Sequence, residues 1–190
     1  LINENIIKID QSIVDEILKD QKYCHFFMKE IQEFINKDKF NEIVNENETL
    51  SKEFSNIEIY NKKRLIGEND STISSIIRDD LIDDFVSYTD QHNIKYSSPI
   101  QTSIYETNLF LIDKTPTLIE YATFYGAIQI FNFLYDKISE SKKSLWLYAI
   151  HSNKIELIIL LVEKKIMPED ETYLECFLEA IKCHLNDIAE

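Results

Sequence analysis

Two stretches decide the fold: Leu118-Ile-Glu-Tyr-Ala-Thr-Phe-Tyr-Gly126-Ala-Ile-Gln-Ile-Phe-Asn-Phe-Leu134 and Leu145-Trp-Leu-Tyr-Ala-Ile-His-Ser-Asn153-Lys-Ile-Glu-Leu-Ile-Ile-Leu-Leu161. Laid on one another without a gap, they match Tyr121-Ala122 with Tyr148-Ala149, Gly126 with Asn153, Ile130-Phe131 with Leu157-Ile158, and Phe133-Leu134 with Leu160-Leu161. Apolar residues three and four apart on either side of a central breaker spell two amphipathic helices. Gly and Asn are the residue types that accept the left-handed backbone conformation in which helices commonly end. The unit is therefore helix, turn, helix, used twice. A third copy, Phe177-Leu-Glu-Ala180-Ile-Lys-Cys-His184-Leu-Asn-Asp-Ile188-Ala189, carries its Ala at the same place and breaks off within its second helix.

Fainter copies lie upstream, at Ile35 to Val44 and at Ile77 to Val86. In all five, the apolar anchor of the first helix (Ile35, Ile77, Ala122, Ala149, Ala180) precedes the first apolar pair of the second by eight and nine residues. The alternative for the two upstream copies is an ordinary helical cap packed on a short array, because terminal repeats are atypical. The expected organisation is an N-terminal helical region over residues 1–75, a degenerate repeat or cap, followed by repeats over 76–190 with an insertion at 92–115 and a truncated last copy. Residues 12–34 read as helix, and the polar stretch 45–70 as a loop with at most a short helix. Within the insertion, Tyr105 and Leu109 to Ile112 are too apolar to stand in water and are expected to pack on the stack as a short helix.

Composition narrows the function classes. A chain of 190 residues, 44% of them hydrophobic, can bury a continuous core. Against 20 Lys and Arg stand 34 Asp and Glu, a formal net charge of -14, so the average surface repels phosphate. Non-specific nucleic-acid binding and coating of anionic lipid are thereby disfavoured. With 2 Gly and 3 Pro, the chain lacks the residues that hairpin-rich barrels and phosphate-binding loops consume, which leaves an all-α protein. The longest apolar run, Leu157 to Val162, is far short of the roughly 20 residues that cross a bilayer.

Three cysteines, Cys24, Cys176 and Cys183, are an odd number without CxxC spacing, which argues against a disulfide framework and against a zinc site. A reducing, cytoplasmic setting fits them, and Cys176 and Cys183 share a helical face as packing thiols. Beginning at Leu1 and ending inside a helical pattern, the sequence reads as an excised fragment.

The repeating unit resembles the ankyrin repeat. Thr117 to Ala122 with Gly126, Ile128, Ile130, Phe131, Phe133 and Leu134 follows its pattern, as does Ser144 to Ala149 with Asn153 and Ile155 to Leu161. More closely, Thr115 to Ala122, Ser144 to His151 and Glu179 to His184, in that order, resemble a divergent ankyrin-type family of unknown function expanded in anaerobic protists. The Pro and His of the usual Thr-Pro-Leu-His opening are missing, and the strong copies are 27 residues apart against the usual figure of about 33. The resemblance thus implies a helix-turn-helix solenoid with short or missing β-hairpin fingers.

Few residues look chemical. Cys24-His25 and Cys183-His184 are sequence neighbours, but adjacent helical residues diverge by about 100° and do not form a nucleophile and its base. The acidic clusters at Asp79-Asp80, Asp83-Asp84 and Glu169-Asp170-Glu171 lack the spacing of a calcium loop, and the last two suit helix starts. No catalytic, cofactor or metal residue is assigned. In ankyrin stacks the two residues before the turn face the concave side, so the resemblance implies a partner-binding row of Phe124, Tyr125, His151, Ser152, Lys182 and Cys183, the alternative for Phe124 or Tyr125 being that the apolar insertion Ile104 to Ile112 covers it. Tyr121, Trp146 and Tyr148 read as core. The expected function is a non-catalytic adaptor for another protein, without nucleic acid or membrane insertion. The alternatives are a targeting module of a larger enzyme or effector and, less favoured, a hydrolase built on Cys24 or His184.

Overall fold

Short polar side chains start the helices. In a computed structural model that describes residues 8–112, 114–139 and 142–189, the side chains of Asp10, Asp20, Asn36, Asn56, Ser71 and Thr117 each accept a hydrogen bond from a backbone N–H of the helix they precede. Such caps satisfy donors that have no partner inside the helix, each at about 1 kcal/mol. Among the described residues there are helices and one isolated β-bridge, but no strand.

The chain forms two compact units. The first, drawn from the residues up to Asn69 and from Ser103–Asn108, contains α1 (Gln11–Ile17), α2 (Gln21–Phe26), α3 (Met28–Ile31), α4 (Lys37–Asn45), α5 (Glu48–Phe54) and α6 (Ile57–Ile66). Its core joins Val14, Met28, Ile31, Leu50, Tyr60 and Tyr105. Arg64 is buried against Glu30 at 2.9 Å, its guanidinium over the rings of Phe26, Phe27 and Tyr60.

Three expectations for this region are corrected. Residues 12–34 are three helices, because Asp20 caps a new one and Phe27 leaves the helical conformation at φ -97°, ψ 17°. Residues 45–70 hold two helices where a loop was expected: Asn47 and Asn56 accept from Leu50 N–H and Ile59 N–H and start them, and left-handed Gly67 ends the second. The copy at Ile35 is not a helix pair, because Ile35 lies in the link before the Asn36 cap and only α4 follows.

The second unit takes Asp70–Thr102 and the chain from Leu109, so the boundary falls at 69/70 instead of 75/76, and part of the expected insertion belongs to the first unit. It contains α7 (Thr72–Arg78), α8 (Ile82–Gln91), α9 (Leu118–Tyr125), α10 (Ile128–Lys137), α11 (Leu145–Ser152), α12 (Ile155–Glu163), α13 (Leu174–Lys182) and α14 (Asn186–Ala189). These are four successive helix pairs. Their first helices, α7, α9, α11 and α13, neighbour one another in chain order, and α8 neighbours α10. Between the pairs the apolar stripes merge into one core containing Ile77, Phe85, Tyr121, Phe131, Trp146, Tyr148, Leu157 and Ala180.

Each pair turns on a left-handed residue: Asp80, Gly126, Asn153 and His184. Three turns close with the same backbone bond, Leu81 N–H to Ile76 O, Ala127 N–H to Ala122 O and Leu185 N–H to Ala180 O. This bond sets Ile76, and not Ile77, level with Ala122, so the upstream copy is one residue out of the register expected from sequence. Side chains then tie one turn to the next. The Asp80 carboxylate accepts from the N–H groups of Gln129 and Ile130 at 3.0 Å, and Lys154 Nζ donates to Gly126 O at 2.8 Å. At the opposite helix ends, Glu120 accepts from Thr117 N–H in a capping box and from the Ser144 hydroxyl of the next pair.

The short helix expected in the insertion is absent among the described residues between 92 and 117. Ile100 N–H donates to Pro116 O and Leu118 N–H to Ser98 O around the Pro99–Thr117 bridge, so extended chain leads into α9. Two prolines at these positions withhold the N–H groups that a helix would use.

Candidate functional site

The C-terminal ends of α9, α11 and α13 lie side by side, and they carry the six residues picked out from sequence. The structure places them unequally. Phe124 is 8% exposed, its ring parallel to that of Phe110 at 5.9 Å between centroids. As a contact residue for a partner it is corrected to core, because the loop that carries Phe110 covers it. Tyr125 is half-buried between Tyr121 and Phe124, with the Arg78 guanidinium 5.7 Å from its ring centre. The Ser152 hydroxyl donates to Ala149 O and accepts from Lys154 N–H, closing the α11 turn. Lys182 is exposed and paired with Glu179 at 2.9 Å.

His151 and Cys183 come together, and Glu179 joins them. His151 Nε2 stands 2.9 Å from Glu179 Oε1, and Cys183 Sγ lies 3.7 Å from Nδ1 and 3.9 Å from Nε2. Phe110 lies tilted by 31° over the imidazole with centroids 3.9 Å apart, and Lys114 Nζ sits 3.6 Å from the Phe110 ring centre. Burial lowers the His151 pKa, partly offset by Glu179, and burial together with Glu179 raises that of the Cys183 thiol. Burial also pushes the Glu179 carboxyl up, but its hydrogen bonds from Lys182 and His151 outweigh this and hold it below the ordinary value. At neutral pH the trio is a thiol, a neutral imidazole and a carboxylate.

A sulfur nearly equidistant from both ring nitrogens is not aligned with either lone pair, so the pair lacks the geometry of an activated nucleophile. The other cysteines sit elsewhere. Cys24 is buried and donates to Ile17 O, and burial raises the pKa of Cys176 to about 11. His184 is the exposed left-handed residue of the last turn.

No protein-family model, curated protein or solved structure matches this chain.

A second feature escaped the sequence reading. On α13, Leu174, Phe177, Leu178 and Ile181 are between 45% and 58% exposed. Spaced at i, i+3, i+4 and i+7, they line one helical face, opposite the one on which Cys176 and Ala180 are buried. Ile155, Ile159 and Val162 make a similar exposed stripe on α12. An apolar recess lined by Trp146, Ile158, Tyr173 and Phe177 opens beside them. The apolar periodicity of these helices is visible in the sequence, but sequence does not show which stripe finds a neighbour and which stays in solvent. No helix among the described residues is long and apolar enough to cross a membrane.

Proposed function

We propose that the second unit is an ankyrin-like stack of helix pairs, with short turns in place of fingers, that serves as a non-catalytic module for binding another protein. Four successive pairs, left-handed turn residues and turn-to-turn bonds from Asp80 and Lys154 support the stacked reading. The observation that carries the binding reading is the exposed stripe Leu174, Phe177, Leu178 and Ile181. Scattered apolar residues on a surface need no explanation, whereas a contiguous stripe on one helix marks an interaction face. A partner presenting its own amphipathic helix suits this surface, since anchors at these spacings interdigitate with a facing helix. Of the row first read as the contact face, Tyr125, His151, Ser152 and Cys183 are half-buried and engaged within the chain, which leaves Lys182 at the rim.

The test is site-specific photocrosslinking from Leu178, with Lys182 as a rim position and Lys19, on the first unit, as a control. A protein adduct expected at Leu178, and lost when Phe177→Glu is introduced into a chain of unchanged helicity, supports the reading. Equal crosslinking from Lys19, or retention of the adduct in the Phe177→Glu chain, overturns it.

A further inference from the structure

We propose that His151, Glu179 and Cys183 form a binding site for a divalent cation of the zinc class, which ties α13 to α11. Their ligand atoms all lie within 4.8 Å of one another. A tetrahedral ion with metal–nitrogen and metal–oxygen bonds of about 2.0–2.2 Å and a metal–sulfur bond of about 2.3 Å separates its ligand atoms by roughly 3.3–3.7 Å. The separations of Nε2 from Oε1 and from Sγ, 2.9 and 3.9 Å, bracket that spacing.

The placement follows from helix geometry. Glu179 is on α13 and Cys183, four residues on, caps its C-terminal end, so the two lie one turn apart on one side. His151 lies in the last turn of α11, against that side. Supporting contacts orient two of the three ligands. Lys182 Nζ holds Glu179 Oε2 at 2.9 Å, leaving Oε1 toward His151, while Phe110 fixes the plane of the imidazole. Such outer contacts commonly set ligand orientation and affinity.

The donor set selects the metal. One sulfur, one imidazole nitrogen and one carboxylate oxygen suit zinc, whereas calcium and magnesium require oxygen donors throughout. The ion takes Nε2 of the neutral imidazole, with its hydrogen on Nδ1, and the Cys183 thiol gives up its proton to solvent to bind as thiolate. Water completes the fourth position, since three protein ligands leave a tetrahedral ion one open site. The site is distinct from the α13 docking stripe, so either reading can fail without the other.

Cobalt(II) titration of the chelator-treated full chain tests the proposal. Expected is a single equivalent bound, with tetrahedral d–d absorption and a sulfur-to-cobalt charge-transfer band in the near ultraviolet, both bleached by zinc. Cys183→Ser removes the charge-transfer band and Cys24→Ser preserves it. His151→Gln and Glu179→Gln weaken binding by more than the 10–100-fold typical of outer-shell losses, and Lys182→Ala weakens it by about 10-fold. Circular dichroism confirms that each variant is folded, and zinc raises the melting midpoint of the parent chain but not that of Cys183→Ser. A folded parent chain without the charge-transfer band, or a Cys183→Ser chain that keeps it, overturns the site.

Discussion

His25 shows how a single residue ties stability to pH. It is 8% exposed, the Asn47 amide donates to its Nδ1 at 3.5 Å, and among the described residues Nε2 has no hydrogen-bond partner. Burial lowers its pKa, with Glu46 opposing, so the folded chain resists protonation more than the unfolded chain does. Below about pH 6.5 the unfolded state therefore holds more protons, and stability rises with pH at up to about 1.4 kcal/mol per pH unit. The contribution is complete above the unfolded value, falls as the solution is acidified through it, and levels off once native His25 takes its proton. Native-state NMR titration checks this: His25 should titrate below the free imidazole value, and His25→Gln should flatten the slope of urea midpoint against pH. Titration at or above the free value would contradict the desolvation account. The burial of His25 was not legible in the sequence, where it reads only as one of four imidazoles beside a cysteine.

At the scale of the helix pair, the turn is the controlling element. Gly126 and Asn153 hold equivalent left-handed positions at φ 70° and 53°. A Cβ on Gly126 would stand 2.3 Å from Lys154 Cδ, and the left-handed conformation itself costs an L-residue about 1–2 kcal/mol. Gly126→Ala should therefore destabilise the unit by about 1–2 kcal/mol and dislodge the Lys154 bond to Gly126 O. Asn153→Gly, which suits the same backbone, should change stability by less than about 0.5 kcal/mol. Urea unfolding of both variants distinguishes them, and equal midpoints would refute the turn assignment. These turns were legible because helix periodicity and a left-handed residue type are local signals. Upstream, the loop expected over 45–70 is two helices, since an asparagine that breaks one helix also caps the next, as Asn47 and Asn56 do.

For the whole molecule, charge is the term that acts everywhere at once. A net charge of -14 repels itself over distances that salt controls, with a screening length of about 30 Å at 0.01 M ionic strength and about 8 Å at 0.15 M. The melting midpoint should rise between those two ionic strengths, and a midpoint that stays level or falls would show that surface ion pairs outweigh the repulsion. Sequence alone determined the helical class, the strong helix pairs and their turns, because apolar period, chain flexibility and helix endings are properties of neighbouring residues. Tertiary structure decided the rest: which unit takes residues 103–108, that Phe110 covers Phe124, that α13 leaves a stripe in solvent, and that His151 meets Glu179 and Cys183. Each of these depends on which surfaces pack across distant stretches of chain, and no local periodicity records that pairing.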